Sequence, residues 1–392
     1  MNPNTDNPMK NMTFMALVAG AILLMSSCSH SGGEPQLTKS GLNPEKFIAE
    51  RDGKTTALYT LTNENGMEVC ITNFGGRIVS IMTPDRDGKL QDVVLGFDSV
   101  AAYFPENNQS DFGAAIGRYA NRINQGIIIL DGDTIRLPQN NFGHCLHGGP
   151  AGWQYKVYDV KEATDSTLTL VMNSPDGDNN FPGNVTATVT YKLTADNSID
   201  IDYSATTDKK TVINLTNHSY FNLNGDPTKP ITDNILYIYA DSYTPVDSTF
   251  MTTGEIAAVA GTPMDFTTPH AIGDSIDHYE FVQLKNGNGY DHNWVLNTNG
   301  NPAEIAAKLV SPSTGISLEV LTDEPGIQIY SGNFLDGTTT GKNGIVYNKR
   351  AAICLETQHY PDSPNKPLWP SVVLEPGQTY TSHCTFRFGV EK

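Results

Sequence analysis

Glu356 and His218 are the residues of this chain best suited to moving protons. Glu356 closes the apolar run Ala351–Leu355, and Pro361, Pro364 and Pro367 follow it. The run has the length and composition of a buried strand, and the prolines prevent a regular continuation. A carboxylate where a strand leaves the core is either turned to solvent or kept partly desolvated because its basicity is used. Taken alone, the solvent-facing strand end is the commoner case. His218 lies in Leu215-Thr216-Asn217-His218-Ser219-Tyr220-Phe221-Asn222-Leu223, among polar and aromatic residues that suit neither a core strand nor a plain loop. An imidazole with an unperturbed pKa of about 6.5 is a ready proton donor near neutral pH.

Three further runs add groups that could hold a neutral polar ligand. Asn121 and Arg122 place an amide beside a guanidinium, and either of them alone would also read as a surface contact. Gly143–Pro150 contains His144 and His147, with Gly148 and Gly149 leaving room for another group to approach His147. Two histidines three apart raise the idea of a metal pair, but no regular helix is expected among these glycines. Gly289-Tyr290-Asp291-His292-Asn293-Trp294 offers a carboxylate flanked by aromatics, and Gly326–Tyr330 offers the amide of Gln328 on a strand. Aromatic rings beside hydrogen-bonding groups accommodate a sugar, whose faces are apolar and whose edges carry hydroxyls. Tyr220 and Phe221 are the rings expected to form such a wall.

The elements that must position these groups read as strands. Short runs rich in β-branched and aromatic residues predict strands over 56–61, 67–72, 78–82, 126–130, 167–172, 185–193, 198–204, 235–240 and 316–321. Asn65-Gly66, Asp87-Gly88 and Asp131-Gly132 are hairpin turns, and Ala195-Asp196-Asn197 reads as another. With no long amphipathic helix, the fold class is mainly β: a single large antiparallel β-sandwich over residues 42–392. The 35 glycines and 23 prolines suit so many turns. A formal net charge of −18 disfavours nucleic acid or anionic lipid as a partner, because both require basic surface to neutralise phosphate.

The N-terminus reads as a targeting segment. Lys10 precedes the apolar run Met12–Met25, too short to span a membrane comfortably but suited to the core of an export signal. Met25-Ser26-Ser27-Cys28 resembles a bacterial lipobox, with Met25 where leucine is more usual. Residues 1–27 are therefore expected to be a lipoprotein signal peptide, Cys28 the lipidated residue, and 28–41 a flexible tether rich in Ser and Gly. The protein is expected outside the cytoplasm, touching the membrane only through that anchor. Cys70, Cys145, Cys354 and Cys384 are too irregularly spaced for a zinc motif. Cys70 and Cys354 lie in apolar runs and read as buried thiols.

Asn121-Arg122, Leu146-His147-Gly148-Gly149, Thr216–Leu223, Gly289–Asn293 and Leu355-Glu356-Thr357-Gln358 with Pro361-Asp362 occur in the order found in aldose 1-epimerases, the galactose mutarotases, and the sequence resembles that family. Asn73-Phe74-Gly75-Gly76, Leu95-Gly96-Phe97 and Asn180-Phe181-Pro182-Gly183 resemble its structural signatures. The resemblance implies the family's large β-sandwich and anomer interconversion of free aldohexoses such as galactose and glucose. It implies Glu356 as base, His218 as acid, and His147 as a second donor near the ring oxygen. Asn121, Arg122, Asp291 and Gln328 would bind sugar hydroxyls, and Tyr220 would form an apolar wall. It implies no required cofactor, and the protein is expected to act as a monomer. The acidic, Asn- and Asp-rich chain leaves room for calcium through oxygen ligands, although no EF-type loop is present. Two other readings compete: a glycoside hydrolase using Asp291 and Glu356, and a non-catalytic carbohydrate-binding protein on the same fold. No added cationic cluster marks a sugar phosphate as substrate.

Overall fold

Alternation of apolar and polar side chains puts strands in layers with one face to a core. The computed structural model describes residues 36–391 and contains three main antiparallel sheets. The segments expected to be the signal peptide and the first part of the tether, with Cys28, lie outside the described residues. The largest sheet has nine strands, in the order Asp159–Ala163, Thr167–Ser174, Val185–Leu193, Ser198–Thr207, Tyr380–Val390, Ile316–Thr322, Ile305–Val310, Ile235–Ile238 and His270–Ala271. A four-stranded sheet runs Leu58–Thr62, Glu68–Thr72, Arg77–Pro84 and Leu90–Asp92. A six-stranded sheet runs Tyr220–Phe221, Ile353–Gln358, Gly326–Tyr330, Asp291–Val295, Ser242–Thr244 and Ala257–Ala258. One continuous cluster of buried side chains is shared by all three, including Ile71, Leu170, Ile201, Leu318, Ile327 and Leu355. This is the sandwich expected from the strand pattern. The α-helix among the described residues is the six-residue Val282–Gly287.

Most of the expected strands appear, with instructive shifts at their ends. The 56–61 run divides: Lys54–Thr56 pairs with Ala49–Arg51, while Leu58–Thr62 pairs with Glu68–Thr72. Gly126 is excluded from the strand that begins at Ile127 because its φ of 62° places it in a turn. The most consequential correction concerns Glu356, which does not follow a strand but lies within one, Ile353–Gln358. Side chains alternate there. Ile353 and Leu355 enter the shared core, and burying each contributes about 1.5–3 kcal/mol. Cys354, Glu356 and Gln358 therefore project from the opposite face. Cys70, Cys145, Cys354 and Cys384 are all free and buried, matching the expectation of thiols for Cys70 and Cys354.

Candidate active site

The polar face of the six-stranded sheet forms the floor of a cleft of about 410 Å³, a size typical of small-ligand sites. Glu356, His218, His147, Asn121, Arg122 and Asp291 all line it. Register explains the convergence. Gln328 pairs with Glu356 and with Asn293, while Tyr330 pairs with Cys354 and Asp291, so these side chains share one face. Tyr220 pairs with Cys354 on the other side. Two residues earlier, His218 ends the Thr216–His218 strand, which pairs with Ala114–Ile116. His218 is thereby brought beside Glu356, with Nε2 3.5 Å from Oε1.

Both members of this pair are nearly withdrawn from water, at 5% exposure for His218 and 2% for Glu356. Burial pushes His218 down to about 3. The same cause raises Glu356 well above the carboxylate range, helped by the charges of Asp291 and Asp111 and opposed by Arg122. Burial thus drives the pair towards its neutral forms, a protonated carboxyl beside a neutral imidazole. Tyr220 stacks on the imidazole with centroids 5.1 Å apart.

His147 meets the His218 ring edge-on, with centroids 5.1 Å apart. It is held by a reciprocal contact with Asn121. The His147 N–H donates to Asn121 O at 3.0 Å, and the Asn121 N–H donates to His147 Nδ1 at 3.1 Å. Because Nδ1 accepts, the proton of the neutral ring is on Nε2. Burial, then His218 and Arg122, hold His147 well below its usual pKa and so keep it neutral. The Arg122 N–H donates to Asn121 Oδ1 at 2.8 Å, its Nε donates to Asn141 Oδ1 at 3.0 Å, and its guanidinium lies 4.9 Å from the Phe250 ring. Arg122 therefore sits over an aromatic face with its position fixed.

Several expected residues occupy other positions. Gln328 shares the sheet face of Glu356 but does not line the cleft; its Nε2 donates to Asp291 Oδ1 at 2.7 Å. Phe221 does not join Tyr220 in an apolar wall: neighbouring strand residues point to opposite faces, and Phe221 packs in the core against Phe386. His144 is turned away from His147. Its Nδ1 accepts from the Gln125 N–H at 3.0 Å, and its Nε2 contacts Thr249 Oγ1 at 2.9 Å. Gly148 makes room for backbone rather than for ligand, since a Cβ there would lie 2.3 Å from Gly117 O.

Sequence reasoning missed Asp111, Asn141, Tyr330 and Phe334, which also line the cleft. Asp111 is raised to about 6 by burial, opposed by Arg77 and a hydrogen bond from Gln154. The only sequence signal was position: Asp111 lies just before Ala114–Ile116, the strand that pairs with His218's own. Two groups here bring metal-ligating atoms within 4.8 Å of one another: Asp111, His147 and His218, and His218, Cys354 and Glu356. Neither has the all-oxygen character that calcium takes. In the second, the thiol faces Nδ1 and the carboxylate faces Nε2, so an ion bound at one ring nitrogen does not meet both where they stand.

Residues 57–387 match the family model described as aldose 1-epimerase. Galactose mutarotase from Mus musculus is 39% identical over 338 residues, covering 86% of this chain and 95% of that protein. Aldose 1-epimerase from Escherichia coli (strain K12) is 37% identical over 345 residues, covering 87% and 97%. Among solved structures, an aldose epimerase homologue from C. elegans superimposes with a TM-score of 0.80 at 30% identity, covering 86% of this chain and all of that one. With a sandwich of the same architecture and a match across almost all of the described residues, this chain belongs to the aldose 1-epimerase family.

Proposed function

We propose that this isomerase interconverts the α- and β-anomers of free aldohexoses, galactose and glucose among them, with Glu356 as base and His218 as acid. The observation that carries the assignment is the buried His218–Glu356 pair, 3.5 Å apart on the cleft floor. Ring opening removes the proton of the C1 hydroxyl and supplies one to the ring oxygen, breaking the C1–O5 bond. The pair can do both without gaining or losing a proton overall. Glu356 as carboxylate takes the hydroxyl proton while His218 as imidazolium gives one to O5, leaving carboxylic acid and neutral imidazole. Rotation about C1–C2 turns the aldehyde, and the reverse transfers close the ring on its other face. Burial favours the neutral arrangement in the empty cleft, and the sugar's hydroxyl and ring oxygen provide the hydrogen bonds that favour the charged one.

Asn121, Arg122 and Asp291 hold sugar hydroxyls, and His147 presents Nε2–H as a further donor. Gln328 contributes through Asp291, and Tyr220 backs the imidazole. The chemistry uses side chains alone, and the reading requires no cofactor. It also has the chain acting as a monomer, exported and lipid-anchored through Cys28. Incorporation of labelled palmitate by the wild type, and by Cys28→Ser equally, would refute that anchor.

The test is polarimetry of freshly dissolved α-D-galactose and α-D-glucose with the purified protein and its Glu356→Gln and His218→Asn variants. The parent accelerates the approach to equilibrium, and each variant loses a factor of about 10²–10⁴ in kcat. A folded parent inactive on both sugars refutes the substrate assignment. A glycosidase would instead hydrolyse an aryl glycoside. The hydrolase reading would pair Glu356 with Asp291, which lines the same cleft, whereas anomer interconversion uses the imidazole that stands 3.5 Å from Glu356.

A further inference from the structure

The imidazole of His218 has a neighbour on each nitrogen. Nε2 faces Glu356, and Nδ1 lies 3.5 Å from Cys354 Sγ, within hydrogen-bonding reach of sulfur. Cys354 is fully buried, one side-chain repeat before Glu356 on the same face of the same strand. Its backbone is fixed on both sides by pairing with Tyr220 and Tyr330. The contact is therefore built by the sheet register that also places the catalytic pair.

We propose that Cys354 is a positioning residue: its sulfur accepts the Nδ1–H of His218 and so holds the tautomer whose Nε2 is free to exchange a proton with the sugar. This rests on the reading of His218 as the acid. An imidazole that donates from Nε2 must keep its remaining proton on Nδ1 once the transfer is made. That tautomer is stable in a dry site only if Nδ1–H has an acceptor, because a buried unpartnered donor is costly. Cys354 is the acceptor the sheet supplies. Burial holds the thiol itself well above its usual pKa, so sulfur stays protonated and accepts through a lone pair, without a second anion beside Glu356. The proton cycle remains balanced: Nε2 gives one proton to O5 and recovers it on ring closure, and Nδ1 keeps its own throughout.

The test is nitrogen NMR of the full protein labelled at histidine, combined with kinetics of Cys354→Ala and Cys354→Ser. The wild-type His218 ring is expected to carry its proton on Nδ1, with Nε2 unprotonated, an assignment that needs no variant and no activity. Cys354→Ala is expected to lose this preference and about tenfold in kcat with KM little changed, while Cys354→Ser, which keeps an acceptor, restores both. A wild-type ring protonated on Nε2 overturns the proposal, as does Cys354→Ala with wild-type kcat and tautomer. Full activity in His218→Asn would refute the acid assignment instead, while the wild-type tautomer would still report whether the sulfur contact exists.

Discussion

Nε2 of His218 stands 3.5 Å from Oε1 of Glu356 with both side chains almost fully buried, so an acid and a base face each other out of reach of bulk water. Activity requires the pair to hold one transferable proton. A second proton, added only as His218 is charged near its depressed value of about 3, leaves no base. Loss of the proton from Glu356 leaves no acid.

The pH profile of kcat/KM is therefore expected to be flat through neutrality, with an alkaline limb set by the raised Glu356. Burial is the main cause of that elevation, and the charge of Asp291 is the next. Asp291→Asn removes a neighbouring negative charge, which favours ionisation of Glu356 and moves the alkaline limb to lower pH. Its overall activity also falls, but the limb is read from the shape of the logarithmic profile. A limb that stays in place or moves upward would show that Asp291 does not act on the base electrostatically.

Glu356 should also limit stability. Its folded pKa lies above the ordinary 4.5, so between those values the folded state binds more protons than the unfolded one. Stability is consequently fully present below 4.5 and falls as pH rises through the folded pKa. Glu356→Gln has no proton to lose. It is expected to be more stable than the parent at neutral pH, by about 1–2 kcal/mol, and equal to it below pH 4.5. Thermal unfolding at several pH values checks both statements, and a destabilised Gln variant at neutral pH would contradict them.

A chelator should leave turnover unchanged. The acid, the base and the cationic Arg122 are all supplied by the chain, and the convergent donor groups of the cleft are nitrogen-bearing rather than all-oxygen. Polarimetry after extensive EDTA treatment measures this directly. Activity lost on chelation and recovered with calcium would require a metal role.

The sandwich was readable because its strands announce themselves. Val185–Leu193 alternates buried residues with exposed or half-buried ones along its length, and Asn65-Gly66 joins two strands that pair. The site was legible where chemistry-bearing residues cluster in short runs, as at Leu215–Leu223. Two kinds of feature were hidden. Glu356 reads as a strand end because the run Ala351–Leu355 is apolar throughout, yet Ile353 and Leu355 enter the main core while Cys354 packs in a second cluster on the face it shares with Glu356. Asp111 and Phe250 reach the cleft and Arg122 from loops distant in sequence, and no local periodicity encodes a loop's tertiary partner.

Gln328 illustrates how a residue can serve the ligand without touching it. Its Nε2 donates to Asp291 Oδ1 at 2.7 Å, and Asp291, not Gln328, lines the cleft. That hydrogen bond opposes the rise in Asp291 pKa caused by burial, as the charge of Arg122 also does. Gln328→Ala therefore leaves Asp291 both freer to turn and more readily protonated, and a protonated carboxyl is the poorer acceptor for a sugar hydroxyl. Loss of a hydrogen bond to a charged group predicts a rise in KM of about tenfold or more, with kcat close to the parent. The rise should grow as pH falls, because lower pH populates the protonated Asp291 that Gln328 normally resists. Steady-state kinetics on galactose at two pH values separates the outcomes. A loss confined to kcat would mean that Gln328 acts on its strand partner Glu356, opposite it in the sheet, instead of on Asp291.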